Sequence, residues 1–255
     1  MHFELSTFTS FLKSIDLVKY REKYSHIKIV EMDLPKSIQA LDCIYKVYWD
    51  KIPIFEKPLS FDDFYKEYYK SVEDEINEFW DKSGFGKDCD CFNRGLEARI
   101  YRTWASLITQ IHAGYVAESV FGKDAVYQST ELDHKSIDIL IKYCGINIGV
   151  QIKKESKRPE ISRMYNSLFQ KSDKRALEQF GLVNIFYIVP QQKDFDDPYY
   201  KVGRKGELRD SLKYFTKYNK DNATLDRFDN GFVVFTHKEF ELIKNAIDSN
   251  KGIVS

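Results

Sequence analysis

SIDILIKYCGINIGVQIKKE, residues 136–155, is the stretch whose pattern decides the fold. In its first half Ile137, Ile139 and Ile141 alternate with Ser136, Asp138 and Leu140; in its second, Ile148, Val150 and Ile152 alternate with Gly149, Gln151 and Lys153. A period of two is that of a strand with one face on a core. The connection Cys144, Gly145, Ile146, Asn147 is short enough for a hairpin. Centring that hairpin between Gly145 and Ile146 sets Asp138 opposite Lys153 and diagonal to Gln151, all on one face, with Ile137, Ile139, Val150 and Ile152 on the other. Opposed Cβ atoms stand about 4.5–5.5 Å apart and diagonal ones about 7–8 Å. A carboxylate, an amide oxygen and an ammonium then converge over one spot.

Upstream of the hairpin the period is helical. Leu96, Ile100, Trp104, Ile108, Ile111 and Tyr115 form a stripe suited to packing against a sheet, with Asn93 as the expected N-cap. Phe8, Phe11, Leu12 and Ile15, and then Leu41, Ile44, Tyr45 and Tyr48, predict two helices in the first 85 residues, and a third follows Asp62. Downstream, a helix fits 161–179, the apolar run 183–189 reads as a strand covered on both faces, and a basic helix fits 204–219. The strand GFVVF (231–235) and an amphipathic helix with EFELIKNAI close the chain. The order predicts an α/β fold: a mixed β-sheet flanked by helices, with an N-terminal helical subdomain over 1–90 and the core over 91–255.

The chain has 255 residues, 39 Lys+Arg against 39 Asp+Glu, and 43% hydrophobic residues. That is globular composition, long enough to bury a core without disulfides, so Cys43, Cys89, Cys91 and Cys144 are expected to be reduced thiols. No apolar run approaches a membrane span, and the N-terminus lacks a signal-peptide pattern; a cytoplasmic protein is expected. Zero net charge excludes binding to nucleic acid by bulk charge alone, but the charge is uneven. Residues 61–90 are acidic, and 201–220 hold seven Lys/Arg against Glu207 and Asp210.

The Asp138, Gln151 and Lys153 patch suits phosphodiester hydrolysis. Oxygen ligands hold a hard divalent cation that lowers the pKa of an attacking water, and an ammonium orients that water and offsets developing charge. The bland alternative is an Asp138–Lys153 ion pair at a sheet edge. Phosphate loops, dinucleotide fingerprints and nucleophile elbows are absent from the sequence. Cys89 and Cys91 lack a second Cys/His pair at zinc spacing, and the five histidines show no HxxxH spacing.

SIDILIKYCGINIGVQIKKE resembles the active-site hairpin of PD-(D/E)XK nucleases. GLEARIYRTWASLITQIH, ELDHKSID, GVQIKKES, FDNGFVVF and the N-terminal FLKSIDLVKYREKYSHIKIVEMDLP resemble, in order, the Taq I family of type II restriction endonucleases. The resemblance implies a magnesium-dependent homodimeric endonuclease. It would cut double-stranded DNA at a short palindrome, TCGA, beside a DNA methyltransferase of the same specificity. Asp138 matches the motif's metal-binding aspartate and Lys153 its lysine; a bulge would exchange Lys153 for Lys154. Gln151 stands where the superfamily prefers Asp or Glu, so another carboxylate is expected at the metal. Asp133, matching the family's Glu-Leu-Asp, and Glu97, on the upstream helix, are the candidates; a structural Glu97 paired with Arg94 or Arg102 is the alternative. Glu118 is a weaker candidate of the same kind, and His134 could touch a phosphate.

For DNA, Lys157 and Arg158 would sit beside the scissile phosphate, Arg163 and Asn166 could read base edges, and Arg204 and Lys205 suit phosphate contacts. Two other functions fit the same residues: a structure-selective nuclease of repair or recombination, and a DNA-binding module that has lost cleavage.

Overall fold

The computed structural model describes residues 3–27, 34–50, 54–83, 90–155, 181–188 and 223–250. The chain divides into two compact units, residues 1–111 and 112–255.

The first unit is helical: α1 (Leu5–Ser14), α2 (Leu17–Tyr24), a 3-10 turn (Lys36–Ile38), α3 (Leu41–Tyr48), α4 (Phe61–Ser71), α5 (Glu73–Ser83) and most of α6 (Asp90–Phe121). Asp16 caps α2 by accepting from Lys19 N, and Ser60 caps α4 by accepting from Asp63 N. The expected helices are therefore present, with α4 starting at Phe61, one residue before Asp62. Phe8, Leu12, Ile44, Tyr45 and Tyr48 are buried as their spacing requires.

Leu96, Ile100 and Trp104 are buried too, and in this unit Trp104 packs on aromatic rings of other helices rather than on a sheet. The Trp104 ring lies 5.3 Å from Phe61, 6.4 Å from Tyr20 and Tyr48, and 6.5 Å from Phe11. Its Nε1–H donates to Tyr48 Oη at 2.9 Å, and Tyr48 donates onward to Leu59 O at 2.8 Å. This chain satisfies two buried polar groups inside an aromatic cluster. Asn93 lies inside α6, which already runs from Asp90, so the residue is not the N-cap. Cys91 is disulfide-bonded, which departs from the expectation of a reduced thiol there. Cys43 and Cys144 are free.

The second unit carries a four-stranded sheet in the order β1 (Val126–Tyr127), β2 (Ile139–Tyr143), β3 (Ile146–Glu155), β4 (Gly181–Ile188). β1 to β2 and β2 to β3 are antiparallel, and β3 to β4 parallel, so the sheet is mixed as expected. The short helix α7 (Thr130–His134) joins β1 to β2. A separate two-stranded sheet, β5 (Leu225–Arg227) and β6 (Val233–Phe235), contains the end of the GFVVF run, and α8 (His237–Asn250) follows it. Phe240, Ile243 and Ile247 are the buried stripe of α8. The helices expected over 161–179 and 204–219 lie outside the described residues. Among the described residues no helix is long and apolar enough to cross a membrane.

The hairpin register differs from the expected one. Ile139 pairs with Val150, Ile141 with Ile148 and Tyr143 with Ile146, so the turn is Cys144 and Gly145 alone. Both have positive φ, +52° and +78°, as a two-residue type I′ turn demands. The four-residue connection read from sequence was two residues too long, because Ile146 and Asn147 belong to β3. Ile137 departs from expectation as well. A Cβ added at Gly149 would stand 3.3 Å from Ile137 Cδ1 and Cγ1, so Ile137 covers the face of Gly149, Gln151 and Lys153, not that of Val150 and Ile152. The chain leaves the regular ladder at Asp138, and side-chain alternation is lost there.

Candidate functional site

Asp138 lies immediately before β2, buried to 8% exposure. Its N–H donates to Val150 O at 3.0 Å, and its Oδ2 accepts from Ile152 N at 2.6 Å. The two bonds bracket Gln151, so Asp138 stands abreast of Gln151 with Lys153 further along the strand, the reverse of the opposite and diagonal positions expected. The shorter turn is the reason. Gln151 and Lys153 are half-buried on one face of β3.

The loop before β2 is built to deliver this carboxylate. Ser129 caps α7 through Leu132 N, and the helix ends in paired bonds, Ser136 N to Asp133 O at 2.8 Å and Ile137 N to Leu132 O at 3.0 Å. Ser136 takes the left-handed position, φ +60°, that such an ending requires. The chain thus reverses directly into β2, and α7 carries Asp133 and the exposed His134 beside it.

Burial pushes the Asp138 carboxyl up from 3.8 to about 6; the Ile152 N–H and the charge of Lys153 pull the other way, and the charge of Asp133 adds to the rise. Burial raises Asp133 as well, against a smaller lowering by His134. Two buried carboxyls that are both costly to ionise, one of them raised further by the charge of the other, form with a neighbouring lysine an electrostatic site that favours added positive charge. Among the described residues no three His, Cys, Asp or Glu side chains group closely enough to hold a metal by themselves. The oxygens of Asp138, Asp133 and the Gln151 amide are each hard donors, the chemical type that divalent cations such as magnesium take.

The remaining candidates are placed as follows. Glu97, in the first unit, makes an ion pair with Lys23 at 2.7 Å, and its charge raises the Tyr24 and Tyr65 hydroxyls on top of their burial. The alternative partners fall elsewhere: Arg94 pairs with Asp90, and Arg102 donates to Ile27 O and Tyr24 O. Glu118 is buried in α6, and His112 is buried edge-on to Phe228, its pKa lowered to about 4 by desolvation. Lys154 pairs through its backbone with Tyr187 of β4. Lys157, Arg158, Arg163, Asn166, Arg204 and Lys205 lie outside the described residues. Sequence reasoning missed Gln128, buried just after β1, whose Nε2 donates to Asp138 O at 3.1 Å. A lone glutamine in VYQST carries no periodic or motif signal that could have marked it.

A family model described as TaqI restriction endonuclease matches residues 5–247. The chain is 31% identical over 254 residues to the type II restriction enzyme TaqI of Thermus aquaticus, covering 98% of this chain and 90% of that one. It is 30% identical over 251 residues to the type II restriction enzyme TthHB8I of Thermus thermophilus, with the same coverage. No solved structure matches. The matches set the chain among the restriction endonucleases. It belongs to the TaqI restriction endonuclease family.

Proposed function

We propose that this protein is a type II restriction endonuclease that hydrolyses phosphodiester bonds of double-stranded DNA at a short palindrome, TCGA, using magnesium. The observation that carries the reading is Asp138: a buried carboxyl raised to about 6, its Oδ2 held by the Ile152 N–H, with a second raised carboxyl at Asp133. Such a group is costly as an isolated anion and becomes favourable once a cation shares its environment. Asp138 and Asp133 would hold magnesium with the Gln151 amide oxygen. When bound, the ion polarises the scissile phosphate and lowers the pKa of a bound water. Lys153 orients the attacking water by hydrogen bonding and offsets charge on the phosphate oxygens in the transition state. Lys154 is the substitute if the lysine at the phosphate is one residue on.

Glu97 is the weaker ligand candidate because its carboxylate already has Lys23. Palindromic DNA is read most simply by a two-fold homodimer. Lys157, Arg158, Arg204 and Lys205 are assigned to phosphates, and Arg163 and Asn166 to base edges. A methyltransferase of the same specificity would protect the host, and the cytoplasm is the compartment where both would act. The test is incubation of the purified chain with plasmid DNA and magnesium, followed by sequencing of the ends. Cuts at one tetranucleotide, lost in Asp138→Ala, support the reading. Cutting confined to nicked or branched DNA would replace it with a repair nuclease, and binding without turnover with a non-catalytic module.

A further inference from the structure

Asp138 is the first residue outside the paired β2–β3 ladder, and three of its groups have a partner. Its N–H donates to Val150 O at 3.0 Å and its carboxylate accepts from Ile152 N at 2.6 Å. Its C=O accepts from the Gln128 side chain at 3.1 Å. The first two partners are backbone of β3 and come with the hairpin. The third is the side chain of a residue on the far side of β2, one position past the end of β1.

The Asp138 carbonyl belongs to the peptide that joins Asp138 to Ile139. Holding that carbonyl fixes the tilt of the peptide plane, and with it the direction of the Asp138 side chain. Both ends of the contact are buried, Gln128 to 5% and Asp138 to 8% exposure. Water therefore does not replace the amide if it is removed, and a buried carbonyl left without its donor turns to find another. We infer that Gln128 is a positioning residue: by holding the Asp138 carbonyl it keeps the carboxylate on the Ile152 N–H, abreast of Gln151. This rests on the reading of Asp138 as the metal-binding carboxylate. Outer hydrogen bonds of this kind change metal affinity or activity by about 10–100-fold when removed, because small misplacements of a reacting group are costly.

The experiment compares wild type with Gln128→Met, which keeps length and shape but has no donor, and with Gln128→Asn, which keeps the amide one methylene short. Ile243→Val, in the buried stripe of α8, controls for general loss of packing. The readouts are single-turnover cleavage in magnesium, affinity for a DNA duplex in calcium, calcium affinity by calorimetry, and the Ile152 amide resonance in protein labelled with 15N-isoleucine. Both Gln128 variants are expected to lower the cleavage rate about 10–100-fold and to weaken calcium. DNA affinity should stay within about two-fold, and the Ile152 amide should shift and exchange faster. Ile243→Val is expected to leave all four near wild type. Wild-type cleavage and calcium affinity in the folded Gln128 variants would overturn the inference, as would an equal loss in Ile243→Val. If Asp138→Asn cuts as well as wild type, the site reading itself fails; the Ile152 amide then still decides whether Gln128 holds the Asp138 backbone.

Discussion

Replacing Asp138 by Asn should make the metal-free protein more stable while abolishing cleavage. The Asn side chain is nearly the same size and its oxygen can keep the Ile152 N–H, so the change removes charge and little else. Asp138 has a folded pKa of about 6 against an ordinary 3.8. Because the folded value is the higher one, the folded state binds the proton more tightly than the unfolded chain, and stability falls as pH rises between the two values. Each pH unit in that window is worth about 1.4 kcal/mol. The cost of the charge is then roughly 3 kcal/mol at pH 7 and about 1 kcal/mol at pH 4.5. Urea unfolding in EDTA at the two pH values measures both. The variant should gain up to about 3 kcal/mol at pH 7, equivalent to roughly 6–12 °C in Tm for a chain of this size, and the gain should shrink by about 2 kcal/mol at pH 4.5. Calcium should narrow the gap at pH 7 by stabilising wild type alone. A variant no more stable than wild type at pH 7, or a gain independent of pH, would refute the argument.

Lys153→Ala should lower cleavage by several orders of magnitude while DNA affinity in calcium is kept, since a group acting in the transition state affects rate more than binding; a loss confined to Lys154→Ala would move the lysine role one residue on. Glu97→Gln and Lys23→Met should each cost about 0.5–1 kcal/mol in urea unfolding and leave the magnesium dependence of cleavage unchanged, as expected of a half-exposed ion pair; a shifted magnesium midpoint in Glu97→Gln would restore it as a ligand. Cys144→Asn should stabilise the hairpin by roughly 0.5–1 kcal/mol, because Asn tolerates positive φ ahead of Gly145 far better than Cys does; an unchanged urea midpoint would count against the type I′ assignment. Neutralising Arg204 and Lys205 together should flatten the log–log salt dependence of DNA affinity by roughly two, for cognate and other DNA alike; an unchanged slope removes both residues from the phosphate contacts.

The helices around Phe8, Ile44 and Trp104 were legible because each carries an apolar stripe of period 3.6, and the mixed sheet because the hairpin carries period two. The register was not, because it depends on turn length, and two residues cannot be told from four when Ile146 and Asn147 fit either turn or strand. The same-face grouping of Gln151 and Lys153 survives that slip, since both sit on one strand at even spacing. Ile137 crossed to their face because alternation holds only inside a ladder, and nothing in SIDI marks where the ladder stops. Asp138 was visible as a carboxylate out of place among apolar residues; Gln128, which holds it through a backbone carbonyl, was invisible because its role lies in a contact rather than a pattern. The stripe on α6 announced burial and suggested a sheet as its partner, whereas Trp104, in the first unit, meets a cluster of rings.

The two connections of β3 are unequal, and this sets an order of assembly. A two-residue turn costs little closure entropy, so the β2–β3 hairpin can form within microseconds. Parallel pairing with β4 must wait for the residues between Glu155 and Gly181, which take on the order of 1–5 s to be synthesised at roughly 5–20 residues per second. During that interval the backbone groups of β3 that later pair with β4 form an open edge on a nascent chain, and such edges recruit strands from other molecules. Lys153, Lys154 and Glu155, at the far end of β3, place charge where such a strand would add. Charges at this end of β3 therefore also guard its newly made edge against aggregation, apart from the DNA role proposed for Lys153.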